Sequence, residues 1–186
     1  MECENGVCAN RVVQRGSFVP TETHWFDGKG WGLRLKVCAR KDELVEQYVG
    51  EVLEPDEFWV RFSNTPAREP MYFVEFVHGL IIDARLKGSY ARLVNHSCKP
   101  NAAFRQHSVK GSRHVVVAML RDAQAGEEVT VAYRDPITSR QWRCKCGSAN
   151  CASMGEVDRV VRASGVSVPS ADGDDDVVIL DVQERC

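Results

Sequence analysis

Three cysteines inside eight residues, Cys144, Cys146 and Cys151, constrain this chain more than any other feature. Cys144-Lys145-Cys146 followed by Gly147-Ser148-Ala149-Asn150-Cys151 is a CxC-x4-C array. Two thiolates one residue apart can grip one ion, and the glycine-containing loop returns a third. A structural zinc site takes four ligands in a tetrahedron, with each sulfur about 2.3 Å from the metal. The fourth ligand must therefore come from a distant part of the chain, which ties two remote segments together. Cys98 is the best candidate: it follows His96-Ser97 and precedes a Lys99-Pro100-Asn101 turn. The alternative is four unrelated thiols, some buried as small hydrophobes, and the tightness of the array weighs against it. Cys3 and Cys8 are too few for a second site, while Cys38 and Cys186 stand alone.

Metal takes precedence over disulfides because the chain reads as intracellular. Met1-Glu2-Cys3-Glu4 has none of the basic and apolar character of a secretory leader, and no apolar run approaches the length of a membrane span. Hydrophobic residues at 44% and charged residues at 27% are ordinary for a soluble globular chain. The formal charge of −2 is unevenly spread: residues 163–186 hold six acidic groups and one basic, which leaves 1–162 at +3. A body that close to neutral is a poor electrostatic match for nucleic acid.

Periodicity points to a mostly β, α+β architecture. Residues 44–53 form an apolar run broken by Gly50, and 72–84 read as two strands around a His78-Gly79 turn. Residues 114–120 contain three consecutive valines, 128–133 alternate, and Ala125-Gly126-Glu127 turns between them. A short helix is expected over 56–62, after Pro55. Beyond Arg162, residues 163–176 are rich in Ser, Gly and Asp and are expected to be disordered.

Three further stretches carry chemistry. Gly28-Lys29-Gly30-Trp31-Gly32-Leu33-Arg34 is a glycine-rich bend entering a strand, and alone it is only a tight turn. Residues 88–101, GSYARLVNHSCKPN, and 126–133, GEEVTVAY, are far more specific. With GWG, YVGEVL at 48–53, IIDA at 81–84 and the final cysteines in the same order, the chain resembles the SET-domain lysine methyltransferases over about residues 10–155. Residues 8–16 also resemble the end of the cysteine-rich AWS segment of the Ash/NSD-like branch.

That resemblance implies a fold of several small sheets with a threaded C-terminal segment and a post-SET zinc site. The implied organisation is an AWS remnant at 1–16, a SET catalytic domain at 17–135, a zinc-binding segment at 136–162 and an acidic tail at 163–186. It implies S-adenosylmethionine as methyl donor, held by Gly30, Trp31, Gly32, Arg92, Asn95 and His96, and structural zinc on Cys98, Cys144, Cys146 and Cys151. Tyr133 matches the catalytic tyrosine and Tyr72 a second tyrosine of the lysine channel. Val131 stands where relatives often carry an aromatic residue that tunes the number of methyls added, and Phe104 is expected to fill that space. The implied substrate is a lysine of a histone H3 tail or another protein, with the nucleosome as a partner and the nucleus, or also the cytoplasm, as location.

Two departures matter. The stretch between Glu54 and Pro70 is short, where relatives carry a longer insert that grips substrate, and most AWS cysteines are missing. In the tail, Val177, Val178, Ile179 and Leu180 with acidic flanks resemble a SUMO-interacting motif, which binds as an added strand. A terminal strand that packs back on the domain explains the same pattern equally well. Two rival functions remain: a non-catalytic SET-like binding module, which has no need of Asn95, His96 and Tyr133, and a Cys/His hydrolase, for which a metal-bound Cys98 is unsuited.

Overall fold

The computed structural model describes residues 9–66, 71–133, 144–148, 151 and 177–180. The chain runs α1 (Ala9–Arg15), β1 (Thr21–Phe26), β2 (Gly30–Leu35), β3 (Leu44–Tyr48), β4 (Glu51–Leu53), α2 (Pro55–Ser63), β5 (Met71–Glu75), β6 (Ile81–Asp83), β7 (Asn95–His96), β8 (Ala102–Val109), β9 (Ser112–Met119), β10 (Glu128–Val131) and β11 (Val177–Leu180). The strands form three small sheets ordered β1-β2-β10-β7, β11-β5-β6-β4 and β3-β9-β8. The architecture is thus mostly β with few helices, as the sequence predicts. The hairpin strand β1, the long strand β8 and helix α1 were not among the expected elements.

The third sheet carries most of the core. Strand β9 is apolar from Val115 to Met119 without alternation, because both of its faces are buried. Val115, Val117 and Met119 enter the main core with Leu33, Leu35, Val45 and Val129. Val116 and Ala118 face a second cluster with Leu44 and Val109, covered by Val13 and, in part, Val12 of α1. Helix α1 therefore covers one face of this sheet. Its neighbours β3 and β8 both pair antiparallel with β9.

Gly50 divides the 44–53 run because the chain there changes sheet. A Cβ at this position would lie 2.5 Å from the Asp83 carbonyl oxygen, so no other residue fits without displacing backbone. β5 and β6 are joined through a 3-10 turn, Val77–Gly79, with His78 and Gly79 at positive φ, as the sequence predicts. Asp83, at the end of β6, is buried and carries its charge on the Arg85 guanidinium, 2.9 Å away.

The first sheet closes the molecule around the site. β10 pairs antiparallel with β2 and parallel with β7, setting Thr130 opposite Asn95 and Val131 opposite His96. Buried Asn101 fastens this arrangement: its Nδ2 donates to Glu127 at 3.0 Å and to the Glu128 carbonyl at 2.7 Å. Its Oδ1 accepts from the Thr130 amide at 2.8 Å. The NHSC segment is thereby locked to the GEEVTV strand. Strand β11 pairs parallel with β5, Val178 opposite Tyr72, so the backbone of the tail run packs back on the domain. Residues 1–8, with Cys3 and Cys8, and the stretch 163–176 lie outside the described residues.

Candidate active site and metal centre

The four cysteines singled out by coordination number meet in space. The sulfurs of Cys98, Cys144, Cys146 and Cys151 all lie within 4.8 Å of one another. Cys98 Sγ is 3.8 Å from both Cys144 Sγ and Cys151 Sγ. A tetrahedron of sulfurs about 2.3 Å from a central zinc has edges of about 3.8 Å, so the donor set and its spacing fit zinc. Burial pushes the Cys146 thiol up, but the backbone amides of Cys98 and Ser148 donate to its sulfur and bring it down to about 6. Such amides favour the thiolate that a metal requires.

His96 joins this centre to the neighbouring cleft. Its Nδ1 accepts from the Tyr133 amide at 2.9 Å, and its Nε2 lies 3.3 Å from Cys98 Sγ. Burial, reinforced by the Lys29 ammonium, holds the imidazole down at about 4. A neutral ring that accepts at Nδ1 carries its proton on Nε2 and can donate it to the Cys98 sulfur. The resemblance implied only that His96 holds the cofactor. The structure uses the ring as a brace between Tyr133 and the cysteine cluster.

A cleft of about 320 Å³ opens beside the cluster, within the usual range of small-molecule sites. Gly30, Trp31, Tyr72, Arg92, Asn95, His96 and Tyr133, all anticipated from the sequence, line it together with Lys145 and Cys146 of the cysteine turn. Three anticipated residues do not. Val131 is fully buried behind the cleft, and Phe104 packs edge-on against Tyr48 with ring centroids 5.4 Å apart. Gly32 has a different part: a Cβ there would lie 2.7 Å from Asn95 Nδ2 and 2.8 Å from the Phe26 ring. Its bareness makes room for the Asn95 side chain.

The tyrosine at the end of β10 is firmly placed. Tyr133 donates its hydroxyl proton to the Val94 carbonyl at 2.6 Å, and a phenol oxygen that donates its proton has acceptor capacity as well. Arg92 donates to the carbonyls of Ala84 and Arg85, both at 2.9 Å, and its guanidinium lies over the Tyr72 ring, 4.9 Å from the centroid. The 3-10 turn Tyr90–Leu93 carries Arg92 into this position, capped by Ser89, whose side chain accepts from the Ala91 amide.

Sequence reasoning passed over three residues here. Lys29 and Trp25 line the cleft, and Trp25 packs against Trp31 across the β1–β2 hairpin with centroids 5.7 Å apart. The only signal for Trp25 was a large aromatic close to the glycine bend. Tyr48 sits in YVGEVL without an assigned role, yet it is buried and, among the described residues, no hydrogen-bond partner meets its hydroxyl. Burial, with the Asp83 carboxylate and Tyr72 nearby, pushes that phenol well above its ordinary range. An orphaned buried hydroxyl is uncommon away from functional sites.

Comparison with known proteins agrees with this geometry. Residues 30–134 match the SET domain family. The chain is 35% identical over 169 residues to human histone-lysine N-methyltransferase SETD2, covering 88% of this chain and 7% of that protein. It is 32% identical over 173 residues to Drosophila melanogaster histone-lysine N-methyltransferase ash1, covering 89% and 8%. A Saccharomyces cerevisiae protein named histone-lysine N-methyltransferase, H3 lysine-36 specific, is 32% identical over 161 residues, covering 81% and 22%. The chain thus spans only a small part of the relatives it matches.

Proposed function

The chain belongs to the SET-domain family, and on that premise we propose that it is an S-adenosylmethionine-dependent protein-lysine N-methyltransferase acting on a histone H3 tail. The observation that carries this reading is Tyr133. Its hydroxyl is pinned to Val94 as a donor and presented as an acceptor in the same cleft as Asn95, His96, Arg92 and the glycine bend. A binding module that performed no chemistry would gain nothing from such a fixed phenol.

When bound, S-adenosylmethionine supplies a methyl group on a positively charged sulfur. The cleft fits such a ligand: it is of suitable size, has an aromatic wall at Trp25 and Trp31, and offers charged and amide groups at Lys29 and Asn95. Free lysine has a pKa of about 10.4 and must reach the donor as a neutral amine. Apolar surroundings and a nearby positive charge both disfavour the ammonium, so the proton leaves to solvent before transfer. Tyr133 is a weak base, and its part is to accept from the amine and hold the nitrogen in line. The Tyr72 ring, steadied by Arg92, forms the adjoining wall of the cleft. Cys98, Cys144, Cys146 and Cys151 would hold structural zinc, and the same turn sets Lys145 beside Gly28, its Cδ 3.4 Å from the position a Cβ would take.

The names of the yeast and animal relatives support a histone substrate, and lysine 36 of histone H3 is the first residue to test. With that substrate go the nucleosome as partner and the nucleus as location. The proposed organisation keeps an AWS remnant at 1–16, the catalytic body at 17–135, the metal segment at 136–162 and the tail at 163–186. A SUMO-binding role for residues 177–180 would use the same backbone strand that pairs with β5. It is tested by titrating SUMO into the chain and into Val178→Ala and Ile179→Ala variants.

The decisive assay is transfer from labelled S-adenosylmethionine to nucleosomes, free histones and a cell lysate, beside Tyr133→Phe. Labelling of histone H3 that falls at least about a hundredfold in the variant is expected. Cofactor binding with no transfer to any acceptor would favour a binding module instead.

A further inference from the structure

The polar end of the cleft is organised by a residue that does not line it. Glu128, at the start of β10, is largely buried, with its side chain 13% exposed. Its Oε1 accepts from Asn95 Nδ2 at 3.0 Å, and its Oε2 meets the Lys29 ammonium at 2.7 Å. Lys29, Asn95 and Glu128 come from the glycine bend, from β7 and from β10, so these contacts join segments 33 and 99 residues apart.

The chemistry of a carboxylate makes this arrangement directional. An ionised carboxylate can only accept hydrogen bonds, so the Asn95 amide must turn its NH2 toward Glu128. Its carbonyl oxygen is then left for a ligand, and no donor among the described residues meets that atom. Lys29 is held at the rim by one charge-assisted bond and keeps further N–H donors for a ligand. The cleft therefore offers an acceptor at Asn95 and a cation at Lys29, matching the ammonium and carboxylate of an amino-acid group. Gly32 protects the same device, since any side chain there would collide with Asn95 Nδ2.

We propose that Glu128 is a positioning residue for the methyl donor, fixing the Asn95 amide and the Lys29 ammonium so that together they receive the donor's amino-acid end. This rests on the reading of the cleft as the S-adenosylmethionine site. Glutamine in place of Glu128 can offer either end of its amide, so Asn95 loses its fixed direction and Lys29 its partner. Aspartate keeps the acceptor-only chemistry on a shorter stem.

The test uses the full chain with S-adenosylhomocysteine as probe, comparing the parent with Glu128→Gln and Glu128→Asp. Calorimetric Kd, the KM for the histone substrate and the melting temperature are measured for each. Glu128→Gln should weaken the probe about tenfold, with Glu128→Asp recovering part of the loss and the KM for histone unmoved. A Kd within twofold of the parent would overturn the proposal. So would a loss in which Kd, histone KM and melting temperature all move together, the mark of an ion pair that only holds the fold. A parent chain that fails to bind S-adenosylhomocysteine would sink the cofactor reading itself, a result distinguishable from both.

Discussion

The β3-β9-β8 sheet and the β1-β2-β10-β7 sheet are built from similar short strands but invest them differently. In the first, β9 presents apolar side chains to both faces, and its neighbours and α1 exclude water from each. In the second, one face joins the core through Leu33, Leu35 and Val129, while the other regions hold Asn95, Glu128, Thr130 and His96 in hydrogen-bonded places. The first sheet is stabilised by burial, which tolerates small changes of shape. The second is specified by directional bonds, each of which fixes the position of one functional atom. Stability and chemistry are therefore largely separable in this molecule, except where the cysteine cluster and His96 bridge them.

That exception should give the largest effect. Chelating the metal, or Cys98→Ser, should lower the melting temperature and cut methyl transfer together, because His96 links Cys98 to the Tyr133 backbone. Scanning calorimetry and a transfer assay on the same sample check this, and loss of one without the other would break the bridge. Next, Met119→Ala in the apolar sheet should destabilise by about 3 kcal/mol in denaturant melts and leave the Kd for S-adenosylhomocysteine nearly unchanged. A large change in Kd would show the sheets to be less separable than their packing implies. Gly32→Ala should do the reverse on a smaller scale. Its added methyl displaces Asn95, so cofactor binding measured by calorimetry should weaken several-fold, with a stability loss of about 1–2 kcal/mol. The smallest effect belongs to Phe104→Tyr on β8, where the apolar sheet reaches Tyr48. A new hydroxyl beside Tyr48 should shift products toward fewer methyls per lysine, as read by mass spectrometry, with little change in total turnover. An unaltered product ratio would confine Phe104 to packing.

Much of the site was legible in the chain because its chemistry is local. The CxC-x4-C array needs no fold to announce a metal, and counting ligands was enough to call for a fourth donor. The bends at Gly50 and His78-Gly79 were legible for a similar reason: interruptions of apolar runs are written in consecutive residues. Strand β8 was harder to see because most of its residues, apolar and polar alike, are only partly buried and show no clear period until β9 lies against it. Helix α1 escaped because seven residues carry too little pattern to stand out.

Three of the residues missed in and around the site share one trait. Lys29, Glu128 and Tyr48 are ordinary in their own neighbourhoods, and their importance lies in which distant atom each one meets. Sequence alone determined the metal donor set and the mostly β class, because these follow from residue type and short spacing, while the family resemblance pointed to many of the groups that line the cleft. Tertiary structure decided that Asn95 turns its amide to Glu128, that Gly32 makes room for it, and that His96 spans cysteine and tyrosine. Those are relations between strands far apart in the chain, and a hydrogen bond acquires a direction only when both partners are in place.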